Sequence, residues 1–175
     1  IDAAIASVDH EGIHVNLVDT PGYPDFRGPT LSALAAVETV AIVVDADTGV
    51  GYGTRRMMDY AKGRNLCRII VVNKIDRPGA KLDVLLDSLR NTFGPEVLPL
   101  NLPAEGGKRV ADCFGQSTGT SDLGPVAGWH QKIIDQVVEI NETVMDHFLD
   151  VGEDGLSAGL GFDDDFTRQT RHFVD

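Results

Sequence analysis

Apolar residues in the first half of the chain fall into short runs that are too brief for helices. Three of these runs predict strands buried in a sheet, at residues 13–18, 39–45 and 69–72. The first run and the apolar residues before it predict a hairpin, with a turn at Gly12. Between and after the runs, helical spacing recurs, and the stripe of Leu82, Leu85, Leu86 and Leu89 predicts an amphipathic helix. Strands alternating with helices predict an α/β fold with a parallel sheet over residues 1–95.

The pattern changes after residue 95, so we predict a second part at 96–175. Short strands are expected at 97–100 and 108–114, with a loop rich in Ser, Thr and Gly at 116–122. Pro125 opens the longest predicted helix, at about 126–149. A glycine-rich acidic connector and a short final helix at 162–173 complete the prediction.

Charge and composition exclude several classes of function. The net charge of -12 argues against a direct grip on nucleic acid, which needs clustered Lys and Arg. Acidic residues concentrate after residue 131, and they form either a solvated face or a docking surface for a basic protein. No apolar stretch approaches the roughly 20 residues of a membrane helix. The two cysteines predict small buried residues and a reducing, cytoplasmic setting.

The polar tetrad Asn73-Lys74-Ile75-Asp76 directly follows one of the predicted strands. Ligands of open parallel sheets bind at the carboxyl ends of the strands. A carboxylate at Asp76 can accept two hydrogen bonds from the ring N–H and the exocyclic amine of guanine, and adenine lacks this donor pair. Lys74 can lie over the base and Asn73 can hold the loop. The alternative interpretation is a polar turn that only closes the strand.

A second motif, Asp19-Thr20-Pro21-Gly22, follows the strand at 13–18. A carboxylate there can hold Mg²⁺, usually through water. Gly22 allows its backbone N–H to approach a terminal phosphate. Alone this signal is weak, because the spacing Asp-x-x-Gly occurs five times in the chain.

Together the motifs resemble the GTP-binding domain of bacterial elongation factor G. The matching segments are Val18-Asp19-Thr20-Pro21-Gly22, Asp25-Phe26, Val44-Asp45-Ala46, Gly49-Val50 and Val72-Asn73-Lys74-Ile75-Asp76-Arg77-Pro78-Gly79. The residues from Gly94 to Gly107 look closer to the elongation-factor-G-like paralogues. The resemblance implies a partial P-loop-NTPase-type, mainly parallel sheet flanked by helices. It assigns 1–95 to a partial GTP-binding domain and 96–175 to a small α+β insert subdomain with a long acidic helix.

The resemblance also implies roles for individual residues. Asp19, Thr20, Pro21, Gly22, Asn73, Lys74 and Asp76 would bind GTP or GDP, with Asp19 holding Mg²⁺ through water. Gly22 and Tyr23 would be catalytic, but Tyr23 occupies a position that is usually His and orients the attacking water. Its phenol has an ordinary pKa of about 10, so the hydrolytic mechanism is open. The phosphate loop Gly-x-x-x-x-Gly-Lys-[Ser/Thr] does not occur in the sequence, and we expect it upstream in a longer parent protein.

The expected parent is a cytoplasmic translational GTPase that hydrolyses GTP in ribosome-linked elongation or recycling. Its expected partners are the ribosome and, through the acidic insert, ribosomal stalk proteins. The 175-residue piece alone is expected to be inactive. The alternatives are a GTP-binding switch or ribosome-docking module with little hydrolysis, and a metabolic GTPase unrelated to translation. Because the strand before the phosphate loop is missing, we also predict that the strands at 13–18 and 39–45 pair directly, or that a second copy fills the gap.

Overall fold

The computed structural model describes residues 2–10, 12–23, 27–140, 145–146 and 149–150. The chain divides into two compact units. The first comprises Ile1–Val44 and Val50–Val72, and the second comprises Asp45–Gly49 and Asn73–Asp175. The predicted boundary at residue 95 separates a nucleotide-binding domain from an insert. It is a different division from these two units, and it stays a prediction.

The first unit opens with the predicted hairpin. Strands β1 (Ala4–His10) and β2 (Ile13–Asp19) pair antiparallel from Ala4↔Asp19 to His10↔Ile13, and Gly12 adopts a φ of 79° in the turn. The predicted burial of the second strand is wrong, because Leu17 is 54% exposed. The hairpin forms a two-stranded sheet of its own, so its apolar side chains stay in solvent.

The predicted direct pairing across the gap is also wrong. In the described part of the chain, β2 pairs with β1 only, and the next strand, β3 (Thr39–Asp45), belongs to a different sheet. Pairing with a second copy stays a prediction. Helix α1 (Arg27–Ala33) lies between β2 and β3 in sequence. Its third residue is Pro29, which suits the first turn of a helix because proline lacks a backbone N–H.

Strands β3 and β4 (Cys67–Asn73) are neighbours in the second sheet, and helix α2 (Tyr52–Gly63) connects them. The Cys67 N–H donates to the Glu38 carbonyl at one end, and the Ala46 N–H donates to the Asn73 carbonyl at the other. Both strands therefore run in the same direction, which confirms the predicted parallel α/β arrangement.

The two faces of this parallel pair differ in burial. Ile42 and Val44 are buried, whereas Val43 is 62% exposed and Ile69 and Val71 are also exposed. The prediction that the strand at 69–72 is buried on both faces is therefore wrong. Only one face of this two-stranded sheet is buried. Because successive side chains of a strand point to opposite faces, buried and exposed residues alternate along β3.

The second unit continues with α3 (Leu82–Phe93), whose buried residues Leu85 and Leu89 confirm the predicted amphipathic helix. Two small antiparallel pairs follow, β5 (Asn101–Ala104) with β6 (Arg109–Asp112) and β7 (Thr120–Ser121) with β8 (Gly124–Pro125). The strand predicted at 97–100 thus begins only at Asn101, after Pro99. The loop predicted at 116–122 contains β7, which pairs with β8. The Ser121 hydroxyl donates to the Gly124 carbonyl oxygen and accepts the Leu123 N–H, and these bonds close a tight turn.

Helix α4 (Val126–Ile140) packs against these strands. Its predicted continuation to 149 lies partly outside the described residues, as does the whole predicted helix at 162–173. The core of this unit contains Leu102, Cys113, Val126 and Ile133. His130 is buried here, and its Nδ1 lies 2.9 Å from the Cys113 carbonyl oxygen. No helix in the described ranges combines the length and apolar character that crossing a membrane requires.

Candidate functional site

The predicted tetrad lies where β4 ends. Asn73 is the last residue of the strand, and Lys74 takes a left-handed backbone conformation with a φ of 62°. The Asn73 Oδ1 accepts the Lys74 N–H at 2.8 Å, which satisfies the first amide after the strand. Such short side-chain bonds make Asn suited to a sharp change of direction. The local sequence therefore builds a turn that points residues 74–76 away from the strand.

Lys74 is held by a carboxylate at the end of the neighbouring strand. Its Nζ lies 2.5 Å from the Asp45 Oδ2, and the guanidinium of Arg77 approaches the same oxygen at 3.8 Å. The other oxygen of Asp45 accepts the backbone N–H groups of Asp47 and Thr48. The hydrogen bond from Lys74, followed by that from the Asp47 amide, lowers the pKa of Asp45 to about 2. Asp45 is therefore ionised at neutral pH and holds the lysine in a defined direction.

Asp45 lies in one of the segments that carry the family resemblance, but no role at the site was predicted for it. A usable signal was present, since parallel neighbouring strands end at the same edge of a sheet. Asp45 ends β3 as Asn73 ends β4, and the Ala46 N–H to Asn73 carbonyl bond of 2.9 Å joins the two ends. The missing information was which strands are neighbours.

Asp76 differs from Asp45 in having no partner among the residues that the structure describes. It is exposed, and its carboxylate makes no hydrogen bond or ion pair with any residue that the structure describes. It borders an open cavity of about 470 Å³, with walls from the loop after the tetrad, the start of α3 and two turns of the later segment. The residues that line this cavity include Ile75, Asp76, Gly106, Gly107 and Asp122. A carboxylate beside a cavity that is not bonded to the described residues can accept hydrogen bonds from a ligand.

The second motif belongs to the first unit. Asp19 ends β2 and is exposed, and the half-buried Thr20 follows it. The Pro21 carbonyl accepts the Thr30 hydroxyl at 3.1 Å, which ties the motif to α1. Gly22 is exposed, and a Cβ added there would meet no atom within 4 Å. Tyr23 is 71% exposed, while Asp25 and Phe26 lie outside the described residues.

Groups able to hold a metal ion through several side chains do not occur in the described ranges. No cluster of three or more His, Cys, Asp or Glu residues is present there.

Comparison with known proteins decides the family. The profile described as "Elongation factor Tu GTP binding domain" matches residues 1–154. The chain belongs to this family. Its α/β fold is accordingly that of a translational GTPase domain. The sequence-based identification is thus confirmed at this level, while the assignment to elongation factor G in particular is finer than the comparison supports.

Relatives with two different names support this membership. The chain is 30% identical over 151 residues to peptide chain release factor 3 of Microcystis aeruginosa, covering 86% of this chain and 28% of the relative. It is 36% identical over 107 residues to an elongation factor G-like protein of Mycobacterium tuberculosis, covering 61% of this chain and 15% of that protein. The chain therefore spans under a third of the relatives that it matches.

A solved structure shows the same fold. A crystal structure of a Thermus thermophilus protein matches with a TM-score of 0.73 and 32% identity, covering 89% of this chain and 26% of that chain. This agreement extends beyond residue 95. The similarity to the family therefore includes much of the segment predicted as an insert, residues 96–175.

Proposed function

We propose that the full-length gene product containing this chain binds GTP and hydrolyses it to GDP in translation. The observation that carries this proposal is the Asn73–Asp76 tetrad. Its lysine is fixed by Asp45 and its terminal carboxylate is unpartnered beside a cavity, in a member of a GTP-binding family. The relatives' names, release factor 3 and elongation factor G-like protein, support a role in translation.

The residues of the second unit fit a guanine base. Asp76 would accept hydrogen bonds from the ring N–H and exocyclic amine, because its carboxylate oxygens are not used by the residues that the structure describes. Lys74 would cover the base with its methylene chain while Asp45 holds its ammonium group. Asn73 would keep the turn in shape through its bond to the Lys74 amide. Adenine would leave the Asp76 carboxylate without a donor, which is unfavourable for a charged group.

The motif at residues 19–22 would serve a terminal phosphate. Asp19 would hold Mg²⁺ through water, and the Thr20–Gly22 segment would contact the terminal phosphate through backbone N–H groups. Bound Mg²⁺ neutralises charge that develops on the transferred phosphoryl group. Tyr23 occupies the position from which the family orients the attacking water. Its phenol offers a single oxygen for hydrogen bonding, whereas an imidazole offers two ring nitrogens, one as donor and the other as acceptor.

The broader context of the proposal follows from the relatives. We propose a cytoplasmic protein of the elongation factor G type or its paralogues that acts on the ribosome. Residues 1–95 would be its partial GTP-binding domain and 96–175 an insert whose acidic helix docks ribosomal stalk proteins. The concentration of acidic residues after residue 131 supports a protein partner with basic character, rather than nucleic acid, for this segment.

The experiment is a nucleotide-binding comparison on the full-length gene product. Affinities for GDP, IDP and ADP are measured by displacement of a fluorescent GDP analogue, for wild type and for Asp76→Ala. We expect GDP to bind at least roughly tenfold more tightly than IDP or ADP, and the substitution to remove this preference. The exposed Asp83→Ala, at the same cavity, is the matched control. Equal binding of all three nucleotides to wild type would refute the proposal.

A second function is favoured by Tyr23. The protein would bind GTP as a switch and turn it over slowly, because the usual histidine is absent. Steady-state GTP hydrolysis by the full-length gene product, with and without ribosomes, separates the two. A rate that ribosomes do not stimulate, together with tight GTP binding, would favour the switch.

A further inference from the structure

A turn far along the chain contacts the backbone of the tetrad. Gly106 and Gly107 form the connection between β5 and β6, with φ angles of 68° and 79°. Gly107 is buried, and a Cβ added to it would overlap the Ile75 carbonyl oxygen and approach the Asp76 nitrogen to 3.1 Å. Gly106 is exposed, and a Cβ added there would meet no atom within 4 Å. One glycine of the pair is thus required by the contact and its neighbour is not.

The same turn is held by a carboxylate from the next hairpin. The Asp122 Oδ2 accepts the N–H of Gly106 at 2.9 Å and that of Gly107 at 3.2 Å. Asp122 is itself fixed, because its backbone N–H donates to the Pro103 carbonyl in β5 at 2.8 Å. A carboxylate that accepts two backbone N–H groups makes strong, directional bonds. The connection therefore runs from β5 through Asp122 and the glycine turn to the peptide between Ile75 and Asp76.

We infer that Asp122 and Gly107 are positioning residues for guanine recognition by Asp76. The inference rests on the proposed function. Because the Asp76 carboxylate has no protein partner in the described residues, its place is set by its backbone and its own rotamer. The glycine turn presses on that backbone, and Asp122 keeps the turn in place. A shift of about 1 Å in a hydrogen-bonding group is enough to weaken recognition of its ligand strongly.

The exocyclic amine of guanine provides a specific readout. IDP differs from GDP in lacking this amine, so the ratio of the two affinities reports the Asp76 contact itself. A general loss of folding or of phosphate binding would lower both affinities and leave the ratio unchanged. The ratio therefore separates positioning of Asp76 from a merely structural role.

The test compares two glycines on one turn in the full-length gene product. Both Gly107→Ala and Gly106→Ala place a side chain at a positive φ, so they share that strain. Only Gly107→Ala also pushes against Ile75. We expect Gly107→Ala to reduce the GDP-to-IDP affinity ratio on the order of tenfold, and Gly106→Ala to change it far less. Equal changes in the two variants would overturn the inference.

Asp122 provides an independent arm if Gly107→Ala does not fold. Asp122 is exposed, and its backbone bond to Pro103 survives substitution. Asp122→Ala should lower the ratio, whereas Asp122→Asn should restore most of it because an amide oxygen still accepts a backbone N–H. An unchanged ratio in Asp122→Ala would overturn the inference.

A double substitution ties the effect to Asp76. In an Asp76→Ala background, Gly107→Ala or Asp122→Ala should produce no further change in the ratio, since the group being positioned is gone. A further change there would contradict the inference. Failure of the proposed function looks different, because wild type itself would then show no preference for GDP over IDP or ADP.

Discussion

Two leucines in the second unit, two residues apart in sequence, differ sharply in burial and allow a quantitative prediction of stability. Leu102, in β5, is 1% exposed and lies in a cluster with Cys113, Val126 and Ile133. Leu100, just before the strand, is 47% exposed. Replacing each with alanine removes the same atoms. The difference between the two variants therefore measures what burial contributes at this site.

The expected magnitudes follow from the exposures. Truncation of a fully buried leucine removes its transfer free energy and leaves a cavity, which together lower the free energy of unfolding by about 2–5 kcal/mol. A half-exposed leucine loses about half of the transfer contribution and leaves no enclosed cavity, so about 1 kcal/mol is expected. The difference of about 1–4 kcal/mol corresponds to a urea midpoint lower by roughly 0.5–2 M, for an m-value of about 2 kcal/mol/M.

Urea unfolding of the 175-residue chain, followed by tryptophan fluorescence, measures this difference. The chain has one tryptophan, and Trp129 packs against the Leu102 cluster, so its emission reports the relevant core. Wild type and both variants are compared at one pH and temperature. Coincident midpoints for Leu102→Ala and Leu100→Ala would show that this cluster does not stabilise the unit and would refute the assigned core.

Three further predictions concern the site. The pKa of Asp45 in the folded chain, about 2, lies below its ordinary value of 3.8, so Asp45 contributes stability above pH 4 that is lost as the pH falls to about 2. The Asp45→Asn variant should lack this part of the pH dependence of stability. A variant whose acid unfolding between pH 5 and 2 matches that of wild type would contradict the prediction. In the full-length gene product with ribosomes, Tyr23→His should raise the GTP hydrolysis rate, with Tyr23→Phe as the control, and a lower rate with His would show that the phenol is competent. Asp19→Ala should reduce Mg²⁺-dependent hydrolysis at least about tenfold, with the exposed Asp2→Ala as the control, while measurable turnover by the 175-residue chain alone would contradict its expected inactivity.

Much of the local structure was determined by sequence pattern. The hairpin at β1–β2, the alternation of strand and helix, and the leucine stripe of α3 all follow from the residue period and were predicted correctly. The tetrad was placed at the end of β4 for the same reason. Burial was not predictable from the runs alone, as Leu17 and Ile69 show, because an apolar run specifies a strand but not what covers it.

The arrangement around the tetrad was decided by tertiary structure. The Asp45–Lys74 ion pair joins residues 29 apart, and the Asp122–Gly107 hydrogen bond joins residues 15 apart. Neither spacing has a periodic signature, since such contacts depend on which strand lies beside which and on where a turn has room to approach. The sequence by itself determined which groups carry the guanine chemistry. Only the folded chain decided that Asp45 holds the lysine and that a glycine turn lies against the peptide leading into Asp76, because close packing of distant segments is a property of the whole unit.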